Sequence, residues 1–185
     1  MEQVRQQKQS FPSARAAHMA RRGPDFGVLT KNIEIDFQKV MQRQNTIRSE
    51  TSQGLKNWLE NLQNVDVYHS YGEFENSHII RAGNKLIKGE TIVINTGGRP
   101  RMLPIEGIEQ INWLDNVRLL DLKELPLHLI IVGGSYISLE FAQAFRRLGS
   151  QVTVLEGSPQ LMFREDADIA SSAQDILEGE GINIQ

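Results

Sequence analysis

Leu127-His128-Leu129-Ile130-Ile131-Val132-Gly133-Gly134-Ser135-Tyr136-Ile137-Ser138-Leu139-Glu140 opens a segment that runs on to Glu156 and decides the fold. Its first six residues form a short apolar, β-branched run of the kind found in buried parallel strands, and it stops at two glycines where the chain must turn sharply. Beyond the turn, Ile137, Phe141, Ala144, Phe145 and Leu148 recur at spacings of three and four, one apolar face of a helix. Arg146 and Arg147 fall in the last turn, where cations suit the helix dipole, and Gly149 ends the helix. Gln151-Val152-Thr153-Val154-Leu155-Glu156 then reads as a second strand ending on a carboxylate 23 positions after Gly133. Strand, glycine turn, helix, strand and acid in that order predict a βαβ unit that binds a dinucleotide.

Each part of such a unit has a chemical task. The first glycine permits the tight turn, the amides that open the helix face a pyrophosphate, and a carboxylate at the end of the second strand accepts hydrogen bonds from a ribose diol. Glu156 is the expected acceptor, and its charge repels the extra phosphate of NADP, which favours NADH over NADPH. The usual G-x-G-x-x-G is altered, because Ser135 and Ser138 stand at its second and third glycine positions. Both replacements are small, so the expectation is weakened rather than abolished binding. An ordinary α/β unit without a ligand is the bland alternative.

With 185 residues, 39% of them hydrophobic, and a net charge of −3, the chain can bury one core or two small subdomains, and its charge does not suit a nucleic-acid partner. The polar N-terminus is no signal peptide, and no stretch approaches the roughly 20 apolar residues needed to span a bilayer; a cytoplasmic protein without a membrane partner is expected. The sequence has no cysteine, hence no disulfide, thiolate metal site or thiol redox centre. His18, His69, His78 and His128 lack metal-ligand spacing, so no metal site is expected.

From the N-terminus, Met1 to Ser10 is polar, and Ser13 to Arg22 reads as a helix ended by Gly23-Pro24. Its basic residues form no dense run and have no aromatic stacking platform. Asp36 is placed to cap a long helix whose stripe of Phe37, Val40, Met41, Ile47, Leu55, Trp58, Leu59 and Leu62, interrupted by Gln44 and Thr51, is expected to pack on a sheet. Val65 to Phe74, His78 to Arg81 and Lys85 to Ile87 read as an antiparallel meander. Thr91 to Asn95 reads as a buried strand ending at Thr96-Gly97-Gly98, and Pro100, Pro104 and Gly107 mark a linker.

These segments carry a family resemblance. Ile92 to Pro100 resembles the I-V-I-A-T-G-x-x-P segment of the flavin-dependent pyridine nucleotide-disulfide oxidoreductases, and Leu127 to Glu156, with Leu139-Glu140-Phe141-Ala142, resembles their NAD(P)H-binding unit. Asp121-Leu122-Lys123-Glu124-Leu125-Pro126 and Arg164-Glu165-Asp166-Ala167-Asp168-Ile169-Ala170 also match. Ser13 to Arg22, Ala142 to Phe145 and Leu148 to Ser150 look most like mercuric reductases, with dihydrolipoamide dehydrogenases related. The resemblance covers about residues 11 to 185.

It implies an α/β fold divided into a partial FAD-binding domain over 1–100 (helices plus meander, 1–10 unlike the family), a linker over 101–125, and a truncated Rossmann-type NAD(P)H-binding domain over 126–185. Members pass a hydride from nicotinamide to FAD and on to a cysteine pair. By the resemblance, Gly72, Thr96, Gly97 and Gly98 would lie near FAD, while Gly133, Gly134, Ser135, Tyr136, Ile137, Ser138, Leu139 and Glu140 would form the nicotinamide-dinucleotide turn, with Glu156 on its ribose. Tyr136 would stand where members often carry an aromatic gate. The N-terminal FAD-pyrophosphate motif and the redox cysteines have no counterpart here, and Ile182 to Gln185 reads as a strand just beginning. The expectation is therefore an internal slice of a longer enzyme, inactive alone and partnered by a nicotinamide dinucleotide and by a complementary fragment or full-length homologue. The alternatives are a non-catalytic NAD-binding or partner-binding module, or a gene remnant.

Overall fold

A computed structural model describes residues 2–100 and 102–185, with side chains from Pro12 onward. Met1 and Arg101, in the expected first domain and linker, lie outside the described residues. The chain is α/β and groups into two compact units, one formed by Met1–Arg48 with Glu106–Gln185, the other by Ser49–Ile105. This grouping is drawn differently from the expected 1–100, 101–125 and 126–185, because the N-terminal helix packs on the nucleotide-type unit.

In the larger unit, strands β4 (His128–Val132), β5 (Gln151–Leu155) and β6 (Asn183–Ile184) form a parallel sheet in the order β4-β5-β6, with Leu129 opposite Val152 and Val154 opposite Ile184. Helix α3 (Tyr136–Leu148) crosses from β4 to β5, and α4 (Ala167–Gly179) crosses from β5 to β6. The expected apolar face of α3 is the one buried: Phe141, Ala144, Phe145 and Leu148 join Val152, Val154 and Leu161 in the core. The other face of the sheet stays open, with Ile130, Val132 and Leu155 exposed. Parallel sheets are ordinarily covered on both sides.

Helix α1 (Glu2–Arg21) starts well before the expected Ser13 and packs Ala14 and Ala17 inward. A polar hub fastens α1, α3 and the end of α4. Arg147 forks onto Glu180, Nε to Oε2 at 2.7 Å and Nη2 to Oε1 at 2.5 Å. The Gln143 amide donates to the same carboxylate at 2.9 Å, Arg146 Nε donates to the Glu180 carbonyl at 2.9 Å, and His18 Nδ1 lies 3.8 Å from Oε2. Burial pulls the Glu180 carboxyl upward, but the Arg147 hydrogen bond and charge, with His18 and Gln143, outweigh it and hold the group below its usual range.

Helix α2 (Phe37–Glu60) begins where expected, with Asp36 Oδ1 accepting the Lys39 N–H at 3.0 Å. Its first turns bury Phe37, Met41 and Gln44, and Arg48 reaches Asp121 at 3.1 Å. The stripe does not continue as expected: Leu55 and Trp58 are exposed. Gln44, which looks in the sequence like a break in the stripe, is instead 1% exposed, with no hydrogen-bond partner for either amide atom.

In the smaller unit, β1 (Gly72–Asn76), β2 (Ile79–Ala82) and β3 (Lys85–Lys88) form an antiparallel meander as expected, with an irregularity between Phe74 and Asn76, but the first strand begins at Gly72 and not at Val65: residues 65–71 pair with no strand among the described residues. The expected buried strand over Thr91 to Asn95 is absent. That run is irregular, and Val93 and Ile94 are 83% and 69% exposed. A β-branched run becomes a strand only when a neighbour pairs its amides and carbonyls, and among the described residues none does.

Candidate functional site

The candidate site is the turn between β4 and α3 together with the loop that follows β5. Gly133 has φ 103°, a conformation open to glycine alone at little cost, and its N–H donates to the Leu155 carbonyl at 2.8 Å. The turn is thereby sewn to the end of β5, beside Glu156. The next amide, that of Gly134, donates to Glu156 Oε2 at 2.5 Å. Glu156 Oε1 in turn accepts the Ser158 N–H at 2.7 Å.

Gly134 is the tightest point of the site. A Cβ there would stand 2.5 Å from Leu161 Cδ2 and 2.9 Å from Glu156 Oε2. Its carbonyl accepts the Met162 N–H at 2.9 Å, and Met162 is one of two non-glycine residues among those described with positive φ. The 156–162 loop is thus latched to Gly134 by two hydrogen bonds, from the Gly134 N–H to Glu156 and from the Met162 N–H to the Gly134 carbonyl, while the Ser158 N–H steadies Glu156 from within the loop. Burial raises the Glu156 carboxyl, but the amides of Gly134 and Ser158, then the Ser158 hydroxyl and the Gly157 amide, more than offset this, so the group lies below its ordinary range and is ionised at neutral pH.

Ser135 is extended, with φ −74° and ψ 162°, and its carbonyl accepts the Leu139 N–H at 3.0 Å. Its side chain makes no capping hydrogen bond; Ser135 Oγ lies 3.5 Å from Ser138 Oγ. The first amides of a helix have no intrahelical carbonyl to bond, and at α3 these belong to Tyr136, Ile137 and Ser138. They carry the positive end of the helix dipole. Ser138 is half-buried. Tyr136 is 63% exposed, Glu140 is exposed, Ile137 is half-buried, and Leu139 lies in the core.

The structure therefore brings together Gly133, Gly134, Ser135, Ser138 and Glu156, with Tyr136 at the rim, while Leu139 serves packing. Gly72 and Thr96 to Gly98 belong to the smaller unit. Gly72 is on β1, Gly97 has φ 73°, and open space surrounds the positions where Cβ atoms of Gly97 and Gly98 would stand. All four are exposed. The residues around Gly133 do fit a dinucleotide: helix-opening amides with no intrahelical carbonyl, a glycine whose positive φ makes the tight turn, and an ionised carboxylate at the strand end. Ser158, Leu161 and Met162 were not singled out in the sequence. The Gly157-Ser158-Pro159 turn after the acid was a signal for the first, and nothing local marked the other two.

Among the described residues no cluster of His, Asp and Glu could hold a metal ion, and no helix is long and apolar enough to cross a membrane.

Residues 4–185 match the family described as pyridine nucleotide-disulphide oxidoreductase, so the similarity begins earlier than the motifs from Phe11 onward indicated. The probable pyridine nucleotide-disulfide oxidoreductase RclA of Escherichia coli is 41% identical over 154 residues, which are 80% of this chain and 35% of that protein. A dihydrolipoyl dehydrogenase of Bacillus subtilis is 31% identical over 183 residues, 92% of this chain and 38% of the relative. A mercuric reductase of Lysinibacillus sphaericus is 27% identical, across 90% and 31% of the two chains. The structure of a Cu(II) complex of the HOCl-induced flavoprotein disulfide reductase RclA from Escherichia coli superposes with a TM-score of 0.77 at 36% identity, over 97% of this chain and 38% of that one. The chain thus spans between 31% and 38% of the length of these relatives. On the family match and these relatives, the chain belongs to the pyridine nucleotide-disulphide oxidoreductase family, which is FAD-dependent and uses NAD(P)H.

Proposed function

We propose that this chain is the nicotinamide-dinucleotide-binding portion of a flavin-dependent oxidoreductase and that it binds NADH in preference to NADPH. The observation that carries the reading is the ionised Glu156 carboxylate held against the Gly134 amide at the end of β5. In this reading the amides of Tyr136, Ile137 and Ser138 face the diphosphate, Gly133 and Gly134 let the backbone approach it, and Glu156 accepts the ribose hydroxyls while repelling a 2′-phosphate. Tyr136 stands at the mouth of the turn. The nicotinamide supplies a hydride when bound.

The chain carries no cysteine, so delivery of electrons to a disulfide needs residues it does not contain, and alone it has little or no turnover. The positions Gly72, Thr96, Gly97 and Gly98 belong to the flavin side by family resemblance only. Residues 1–100 then correspond to a partial FAD domain, 101–125 to a linker and 126–185 to the Rossmann-type unit, in a cytoplasmic protein. The exposed Val93 and Ile94 favour a polypeptide partner, a complementary fragment or full-length homologue, over a free-standing binding module. Titration calorimetry on the whole chain tests the central part. Saturable heat with NADH, weaker by tenfold or more with NADPH, is expected; equal affinities would remove the NADH preference, and no heat with either at millimolar concentration would remove the reading.

A further inference from the structure

The Gly134 amide, the first past the tight turn, is occupied by the chain's own anion. Glu156 takes it at 2.5 Å, is steadied from the other side by Ser158 at 2.7 Å, and has its loop pinned by Met162 on the Gly134 carbonyl at 2.9 Å. The carboxylate is not a freely swinging acceptor at the rim; it sits at the entrance of the helix dipole, where any diphosphate must approach. Two anions that close repel each other strongly in a partly buried site. A ribose changes the sign of the encounter, because its hydroxyls donate to the carboxylate and turn a competitor into a ligand group.

We propose that Glu156 is a specificity gate: a resident counter-anion that excludes free phosphate and pyrophosphate from the glycine turn and admits a diphosphate only when it arrives with an adenosine ribose to engage the carboxylate. The inference rests on the dinucleotide reading but goes beyond it, since a ribose acceptor alone would leave the affinity for a bare anion unaffected.

Inorganic pyrophosphate and NADH are the probes, titrated calorimetrically in magnesium-free buffer into the whole chain as wild type, Glu156→Ala and Glu156→Gln. The gate predicts that Glu156→Ala binds pyrophosphate about tenfold more tightly than wild type while binding NADH about tenfold more weakly, with Glu156→Gln shifted in the same directions. Pyrophosphate affinity that is unchanged or lower in both variants, or undetectable in all three proteins, overturns it. Should Glu156→Ala lose its far-ultraviolet circular dichroism, the near-isosteric Glu156→Gln carries the comparison. Amide exchange at Gly134 in the wild type is a further check: slow exchange is expected, and exchange at the rate of an open amide overturns the proposal. If wild type fails to bind NADH, the dinucleotide reading falls and takes the gate with it, whatever the pyrophosphate affinities; if wild type binds NADH and Glu156→Ala gains no pyrophosphate affinity, the gate alone falls.

Discussion

Replacing Gly134 by alanine is the sharpest single perturbation of this site. The new methyl would stand 2.5 Å from Leu161 Cδ2 and 2.9 Å from Glu156 Oε2, both well inside contact distance. The carboxylate tip can swing aside, but Leu161 is 2% exposed within the core and cannot move without displacing its neighbours. Overpacking of this kind costs about 1–3 kcal/mol, and loss of the hydrogen bond to the charged carboxylate adds about 1.5–3 kcal/mol where the geometry is fully broken. A total of about 2.5–6 kcal/mol is expected. Urea unfolding followed by Trp113 fluorescence in a Trp58→Phe background reads this unit, and with a slope of about 2 kcal/mol per molar the midpoint falls by about 1.2–3 M. The neighbouring control is Gly157→Ala, whose Cβ meets nothing within 4 Å and which stays within about 0.5 kcal/mol of wild type. Equal midpoints for the two variants would refute the packing argument.

Three other outcomes follow from the structure. Gly54 lies inside α2 with open space around its Cβ position, so Gly54→Ala raises stability by about 0.5–1 kcal/mol, measured as a higher urea midpoint. Ser150 is fully buried and its hydroxyl donates to the Pro126 carbonyl at 2.6 Å, so Ser150→Ala lowers stability by about 1–3 kcal/mol in the same assay. Glu156 and Glu180 are both held below their ordinary range, so the unfolded chain binds more protons in the window between folded and unfolded values. Their contribution is complete above the unfolded value and is lost as pH falls through the folded one, and Glu156→Gln flattens this acid limb, leaving the share of Glu180.

The parts of the fold legible in the sequence are those fixed by local pattern. The β4–α3–β5 unit announced itself through a β-branched run, a glycine turn, a helical stripe and a terminal acid, and all four sit in register. Asp36 announced the start of α2, and the turn residues announced the meander. What could not be read depended on partners distant in the chain. Ile92-Val93-Ile94 has the composition of a core strand, yet with no neighbour among the described residues to pair its backbone it stays irregular, and Val93 and Ile94 are exposed. Gln44 reads as an interruption and is buried, because tertiary packing of α2 and not its polarity decides that position. Gly134 was recognisable as a turn residue, but its demand for a bare Cα comes from Leu161, 27 positions later, which no local motif marks.

The central claim is that a nicotinamide dinucleotide sits on the turn from Gly133 to Ser138 with its ribose at Glu156. Residue-resolved amide exchange with and without NADH tests it most directly. The account predicts slowed exchange at Tyr136, Ile137, Ser138 and Gly157–Ser158, with no change across the β1–β3 meander. Protection absent from the turn, or confined to the meander, would contradict it.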